Sequence, residues 1–344
     1  MIRSVASVAV CCITLGCGPA QAQDDVAAFY AGKRVTLQVG SAAGTGYDII
    51  ARVIARFMPR HIPGNPTMIV QNMAGAGSIR LATSLLNVGP HDGTAFGLAI
   101  NGLPTAPLLQ PDAAKFDPAA FNWIGSTNRE IQVTTVWHTA PVRTLDDLKT
   151  TELVVGATTP GTATMDFPAI ANSVLGLKFR IIPGYEGTAQ INIAMERGEV
   201  HGNAGIGWVS VKAQSLAWLN EGKIRIPVQF GFHRHPDLPN VPTAMSLATT
   251  DTQRQALALV LARQEYGRPF FAPPGVPAAR VAALRRAFDA TMKDPEFLAE
   301  AAKLQLEIEP MTGEVLQDMV AKLTGTPPAV VQQVREALAS AGKK

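Results

Sequence analysis

Cysteine is nearly missing from this chain of 344 residues, and its absence excludes several kinds of chemistry. The three cysteines, Cys11, Cys12 and Cys17, all lie close to the N-terminus. A chain that begins after residue 22 therefore has no disulfide, no thiolate nucleophile and no cysteine metal site. A protein of this size can bury a sufficient core without such cross-links.

Charge runs, metal-binding spacings and catalytic motifs are missing as well. The formal net charge is +3 and the basic residues are scattered, which gives no electrostatic argument for nucleic acid. The six histidines show no HExxH or related spacing, so neither a metal nor another cofactor is predicted. There is no G-x-S-x-G elbow and no evident acid–base pair of carboxylates, so no catalytic residue can be named. These absences favour a binding protein over an enzyme.

The N-terminus has the three parts of an export signal. Residues 1–3 are a short basic start, and residues 5–15 form an apolar run of about 11 residues, too short to span a bilayer. Ala20-Gln21-Ala22 has the small-x-small form of a cleavage site. We predict a signal peptide over residues 1–22 that is cleaved after Ala22. Lipid attachment at Cys17 is the alternative.

The remainder of the chain repeats a short apolar run, a glycine-rich turn and a helix. Residues 35–39 predict a strand, and residues 47–59 predict a helix with Arg52 and Arg56 opposite its apolar face. The pattern restarts near residue 131. After a late strand at 268–272 only helices are expected, over residues 278–292, 295–304, 313–323 and 327–341. Repeated βα units predict an α/β protein with mostly parallel sheets.

This pattern divides the chain into two α/β domains. Domain 1 is predicted over residues 23–128 plus 264–344, including the C-terminal helices, and domain 2 over residues 129–263. Two crossings, near residues 125–133 and 264–272, would join them. A cleft between two such domains is a common place for a small ligand.

Four turns stand at the ends of strands, where open parallel sheets bind ligands. Small residues there allow backbone N–H groups to approach an anion at a helix start. Each turn alone also fits a plain βα connection with a capping residue. None of the four contains Lys or Arg, which suits recognition of a carboxylate by backbone amides. The candidate ligand-binding residues are Ser41, Ala42, Gly44, Thr45, Gly46, Tyr47, Asp48, Ala74, Gly75, Ala76, Gly77, Ser78, Thr158, Thr159, Gly161, Thr162, Tyr185, Gly187 and Thr188.

Taken in order along the chain, these turns resemble those of the solute-binding proteins of tripartite tricarboxylate transporters, the Bug family. Single motifs are unspecific, but the ordered series is specific and spans essentially the whole mature chain. It consists of residues 40–48, 72–78, 92–94, 156–162, 183–187, 198–200, 236–243 and 271–277.

The resemblance implies a periplasmic two-domain protein of the Venus flytrap type, type II-like, with an interdomain cleft. Such a protein captures a small carboxylate and delivers it to a membrane permease. In the family, backbone amides and ordered water of the first two loops hold the carboxylate, and the second domain closes on top. No catalysis and no cofactor are implied, and a monomer is expected.

Three departures from the family pattern concern the ligand more than the fold. Ala42 and Ala43 stand where the first loop usually has proline and glycine, Ala74 replaces a common proline, and His201 follows Gly-Glu-Val. The sequence leaves two other functions open. One is a sensory protein that presents its ligand to a receptor kinase, and the other is an extracytoplasmic hydrolase.

Overall fold

The computed structural model describes residues 19–340, so most of the predicted signal peptide lies outside the described part. It contains twelve strands. They are β1 Arg34–Val39, β2 Thr67–Asn72, β3 Ala95–Leu98, β4 Asn122–Ser126, β5 Gln132–Trp137, β6 Leu153–Gly156, β7 Phe179–Ile182, β8 Gly202–Gly207, β9 Ile224–Arg225, β10 Gln229–Phe230, β11 Pro269–Ala272 and β12 Met311–Thr312.

Helices fill most of the connections between these strands. They are α1 Pro19–Tyr30, α2 Gly46–Phe57, α3 Ile79–Asn87, α4 Ala106–Leu109, α5 Leu145–Thr150, α6 Ala163–Leu175, α7 Thr188–Glu196, α8 Trp208–Asn220, α9 Asp251–Leu261, α10 Ala278–Thr291, α11 Pro295–Lys303, α12 Gly313–Thr324 and α13 Pro328–Ser340. Within residues 19–340, no helix combines the length and the apolar character that crossing a membrane requires.

Helix α2 shows why the local predictions succeed. Its Ile50, Val53 and Ile54 are buried against the sheet, as the helical spacing of apolar residues predicts. The Thr45 hydroxyl accepts a hydrogen bond from the Asp48 amide and so caps the first turn. Periodicity and cap are local properties, so the helix follows from its own segment.

The strands form two separate six-stranded sheets, which confirms the predicted α/β class with two domains. The first sheet has the order β12-β4-β11-β3-β1-β2, and the second has the order β10-β5-β8-β6-β7, with β9 on β5. Parallel pairs lie at one end of each sheet, β2-β1-β3 and β7-β6-β8. The other pairs are antiparallel, so the expectation of mostly parallel sheets is corrected to mixed sheets. The antiparallel pairs arise because the chain crosses between the sheets.

The two crossing segments are hydrogen-bonded to each other. The Glu130 amide donates to the Gln264 carbonyl at 2.8 Å, and the Gly267 amide donates to the Asn128 carbonyl at 2.9 Å. One segment leads from β4 of the first sheet to β5 of the second, and the other returns through β11. The pair of segments is therefore the direct covalent and hydrogen-bonded link between the sheets.

The C-terminal part of the chain differs from the prediction in two respects. A short strand, Met311–Thr312, pairs antiparallel with β4, so residues after 272 are not all helical. Helix α13 packs on α6 and α9 beside the second sheet, with Val330, Val331 and Val334 buried in that core. Its assignment to domain 1 thus disagrees with its packing, because its valine stripe faces helices of the other half. Helix α9 was not predicted.

Candidate functional site

One cavity of about 440 Å³ lies between loop ends of the first sheet and loop ends of the second. Its volume is in the range that small-molecule sites occupy. Three of the four predicted loops contribute to its walls, through Tyr47, Ala76, Gly77, Thr159, Gly161 and Thr162. The walls are completed by residues that the sequence did not single out, among them Asn101, Gly102, Gln110, Glu130, Gln132 and Arg263.

The other predicted residues do not line this cavity. They are Ser41, Ala42, Gly44, Thr45, Gly46, Asp48, Ala74, Gly75, Ser78, Thr158, Tyr185, Gly187 and Thr188. Many of them instead shape the loops that carry the lining residues.

Hydroxyl and carboxylate groups hold the first loop together from within. Thr45 Oγ1 donates to the Ala42 carbonyl at 2.9 Å and lies 2.8 Å from Ser41 Oγ. The Gly44 amide donates to Asp48 Oδ2 at 2.9 Å. Asp48 is buried and points into its own loop, so it is a structural acceptor. Asp48 therefore holds its loop together, while Thr45 caps the helix.

The third loop repeats the first almost bond for bond, although it belongs to the other sheet. Thr162 Oγ1 donates to the Thr159 carbonyl at 2.7 Å and lies 2.8 Å from Thr158 Oγ1. The Gly161 amide donates to Asp166 Oδ1 at 3.0 Å. Gly44 and Gly161 have φ of 79° and 86°, a region that glycine enters without steric cost. Two helix starts with the same construction therefore belong to the two halves of the protein.

Three helix starts meet at the cavity. Tyr47 lies in the first turn of α2, Ala76 and Gly77 lie just before α3, and Thr162 and Ala163 open α6. The first N–H groups of a helix have no acceptor within the helix, and the helix dipole places partial positive charge there. Their convergence makes the cavity an environment for an anion.

Unusual backbone angles shape the second loop. Gly75, Ala76, Gly77 and Ser78 have consecutive positive φ values of 147°, 45°, 61° and 75°. Left-handed φ is costly for Ala and Ser, so surrounding contacts must enforce it. Ser78 supplies them: its fully buried hydroxyl donates to the Gly40 carbonyl at 3.1 Å and accepts from the Ile100 amide at 2.8 Å. Ser78 is thus a positioning residue for the loop.

Gly40 is the reason that Ser78 can reach this position. A Cβ at Gly40 would lie 2.0 Å from Ser78 Oγ, a distance that no side chain tolerates. Gly46 behaves differently from the expectation that it faces the ligand. A Cβ there would lie 3.1 Å from Arg268 Nη2, and Gly46 does not line the cavity.

The fourth loop lies beside the sheet. The Tyr185 amide donates to the Ala157 carbonyl at 3.2 Å. The Tyr185 ring packs with Ile191, and its Cε2 lies 3.2 Å from the position of a Cβ at Gly156. Tyr185 therefore acts here as part of the local apolar packing of β6 and α7.

The charges of the cavity come from the crossing segments, which sequence reasoning missed. Arg263 Nη1 donates to Asp166 Oδ2 at 3.0 Å and to the Gly161 carbonyl at 3.3 Å. Arg263 and Asp166 are both buried. Glu130 lies on the first crossing segment, 3.8 Å from Arg268 Nη2. The charged residues of the two short polar crossing segments were the available signal, but this signal can be used only after the crossings have been placed.

The carboxyl groups of the site respond differently to their surroundings. Hydrogen bonding from Arg52 lowers the pKa of Asp48 to about 2, with the Gly44 and Asn72 donors adding to the effect. Burial raises the pKa of Glu130, and the nearby Arg268 opposes that rise. Burial likewise raises the pKa of Asp166 against the opposing influence of Arg263. Burial also raises the pKa of the Tyr47 hydroxyl, which donates to the Gly267 carbonyl.

The described residues show neither a metal cluster nor a second site built from the predicted loops. Across residues 19–340, no group of three or more His, Cys, Asp or Glu side chains could hold a metal ion. A smaller cavity of about 200 Å³ lies on another side of Glu130 and contains none of the candidate loop residues.

Comparison with known proteins gives consistent matches. The model of the tripartite tricarboxylate transporter family receptor matches residues 50–323. A UPF0065 protein in the gbd 5' region of Cupriavidus necator is 26% identical over 346 aligned positions, covering 96% of this chain and 96% of that protein.

Two solved structures show the same fold. A TctC solute-binding protein from Polaromonas has a TM-score of 0.66 and 21% identity, covering 88% of this chain and 99% of that chain. Rpa4515 of R. palustris with adipate has a TM-score of 0.63 and 20% identity, covering 88% of this chain and 97% of that chain.

Proposed function

The chain belongs to the tripartite tricarboxylate transporter receptor family, and from that premise we propose that it is a periplasmic solute-binding protein for a small carboxylate. The observation that carries the proposal is the convergence of three helix starts, those of α2, α3 and α6, on one cavity between the two sheets. Unpaired amides at helix starts favour an anion without a dedicated basic side chain.

The proposed site uses loop backbone from both halves of the protein. Ala76 and Gly77 offer amides from the side of the first sheet, and Ala163 offers its amide from the side of the second, where the Thr162 amide already donates to the Thr159 carbonyl. Gly161 lies close to the opposite wall, because a Cβ there would be 3.1 Å from Gln110 Nε2. A ligand held from both sides would link the halves, which suits capture by closure of two domains.

The other parts of the proposal rest on the same premise. The bound solute would pass to the permease subunits of a tripartite transporter, and the protein would act as a monomer without catalysis. Adipate in the R. palustris structure supports a carboxylate as the ligand class. The domain bounds 23–128 plus 264–327 and 129–263, with α13 attached to the second half, are the division that the packing supports.

Export is tested by the N-terminus of the secreted protein. Protein purified from a periplasmic fraction should begin at Gln23, because cleavage is expected after Ala22. A lipid-modified Cys17 would contradict a free periplasmic protein and place the chain on a membrane surface.

Ligand capture is tested on the same purified protein. The protein is denatured, released small acids are identified by mass spectrometry, and the identified acid is titrated by calorimetry. We expect one site per chain and an affinity that falls when Gly77 is replaced by valine. Absence of any released acid, together with no thermal shift across a panel of organic acids, would contradict the proposal.

A further inference from the structure

The cavity has few charged groups in its walls. Among its described lining residues, Glu130 is the one acidic side chain and Arg263 the one basic side chain, and Tyr47 adds a phenol. A receptor for a dicarboxylate or tricarboxylate needs surplus positive charge, or many amides, to replace the water around each carboxylate. The charge balance of this cavity therefore bears on the class of ligand.

Arg263 does not supply surplus positive charge. Its Nη1 lies 3.0 Å from Asp166 Oδ2, and the side chains of both residues are about 95% buried, at 6% and 5% exposure. The Phe167 ring lies 4.5 Å from the guanidinium carbon and covers one face of the group. The charge of Arg263 is thus matched by a carboxylate on the second half, and its Nη1 fixes the third loop through the Gly161 carbonyl, whereas its buried Nε and Nη2 have no acceptor among the described residues.

Glu130 is only loosely neutralised. Its Oε1 lies 3.8 Å from Arg268 Nη2, beyond hydrogen-bond distance, and its Oε2 accepts from Gln132 Nε2 at 3.4 Å. A carboxylate has about four acceptor sites, so Glu130 retains capacity for a further donor. Its side chain is 18% exposed and lines the cavity. An ionised Glu130 only accepts, so in that form a group of the ligand that reaches it must donate a hydrogen bond or carry positive charge.

We infer that the ligand carries a single carboxylate, held at the helix starts, and a hydroxyl or ammonium group that donates to Glu130. The inference rests on the proposed function and narrows it to monocarboxylates with a donor group, such as hydroxy acids and amino acids. A second carboxylate placed beside Glu130 would be repelled by a like charge in a poorly solvated site.

A matched series of straight-chain acids tests this inference by calorimetry on the full mature protein. For chains of four, five and six carbons, the far end carries a methyl, hydroxyl, ammonium or carboxylate group, as in butanoate, 4-hydroxybutanoate, 4-aminobutanoate and succinate. The series is titrated into the wild type, Glu130→Gln and the control Glu336→Gln. Glu336 is exposed on α13, so its replacement removes the same charge away from the cavity.

The expected result is a preference that depends on Glu130. In the wild type, the best donor-bearing acid should bind about tenfold or more tightly than the dicarboxylate of equal length. Glu130→Gln should reduce this ratio by about tenfold, and Glu336→Gln should leave it unchanged. Thermal unfolding of each variant shows whether it is folded. If Glu130→Gln does not fold, the affinity ratio of the wild type alone tests the inference.

Two results would overturn the inference while the proposed function stands. One is a dicarboxylate that binds the wild type more tightly than the hydroxyl and ammonium acids of its length. The other is a folded Glu130→Gln protein with an unchanged ratio. Binding of none of the acids, with no acid released from the purified protein, would instead overturn the carboxylate site itself.

Discussion

Gly44 and Gly161 occupy the same position in two loops that belong to the two halves of the protein. Each amide donates to a buried aspartate, Gly44 to Asp48 and Gly161 to Asp166, at 2.9 Å and 3.0 Å. In each loop a threonine follows the glycine and donates back to the carbonyl three residues earlier. The two halves thus present helix starts of one design, although only Gly161 lines the cavity.

This relationship makes Gly44→Ala a control for Gly161→Ala. Both glycines have left-handed φ, so we expect each alanine to lower the free energy of unfolding by about 1–2 kcal/mol. Gly161→Ala should also weaken ligand binding about tenfold, because its Cβ would lie 3.1 Å from Gln110 Nε2 across the cavity. Denaturant unfolding and calorimetric titration measure the two effects. Equal affinity losses in both variants would show that strain, and not the site, is responsible.

Gly77→Val tests backbone approach in the second loop. Gly77 lines the cavity, and the space around a Cβ there is open for 4 Å, so the valine would project without a clash in the protein. We expect it to abolish binding of the identified acid by blocking access to the amides. Gly222→Val is the control, since Gly222 also has left-handed φ and open surroundings but does not line the cavity. Normal binding by a folded Gly77→Val protein would place the site elsewhere.

Asp166→Asn should be strongly destabilising. The substitution leaves the buried Arg263 without a matching charge, which typically costs about 3–5 kcal/mol of unfolding free energy. The comparison is Arg52→Met, which breaks the ion pair between Arg52 and Asp48. Arg52 is 54% exposed, so its pair should contribute less than about 1 kcal/mol. Urea unfolding of both variants measures the two losses of unfolding free energy, and the loss should be larger for Asp166→Asn. Similar losses would contradict a buried ion pair between Arg263 and Asp166.

The acid stability of the protein should depend on Asp48. Its pKa in the folded protein is lowered to about 2 from an ordinary value of 3.8. Because the folded pKa is depressed, this stabilisation is fully present above about pH 4 and is lost as the pH falls through 2. The contribution is on the order of 2 kcal/mol at most.

Asp48→Asn removes this dependence. The difference in unfolding free energy between the wild type and the variant should shrink between pH 4 and pH 2, as measured by urea unfolding at each pH. A difference that stays constant across this range would show that Asp48 is not held ionised by Arg52, Gly44 and Asn72.

The local elements and the turns could be predicted because each depends on its own segment. The spacing of apolar residues in α2 and the Thr144 capping box of α5 are contained in a few consecutive residues. The candidate loops could likewise be predicted from the glycine and hydroxyl residues that follow a strand. The prediction that backbone amides of these loops face a ligand stays a prediction, supported by their meeting at one cavity.

The half of the protein against which a helix packs could not be predicted in the same way. Helix α13 was expected to pack on the first domain. Its buried valines instead pack on α6 and α9, and an apolar stripe of this composition would suit either half. An amphipathic pattern shows which face of a helix is buried, but it does not show which element that face packs against. The partner is chosen by the path of the chain, which runs back over the second half after α12.

The amino-acid sequence by itself determined the α/β class, most of the helices and strands and the small-residue loops, because caps, turns and periodicity act over a few residues. Only the tertiary structure decided which groups meet in the cavity. Arg263 reaches Asp166 across 97 positions of sequence, and Glu130 joins them from the other crossing segment. Such long-range meetings depend on how the two crossings are paired, and burial then shifts the pKa values of the carboxyl groups that meet there.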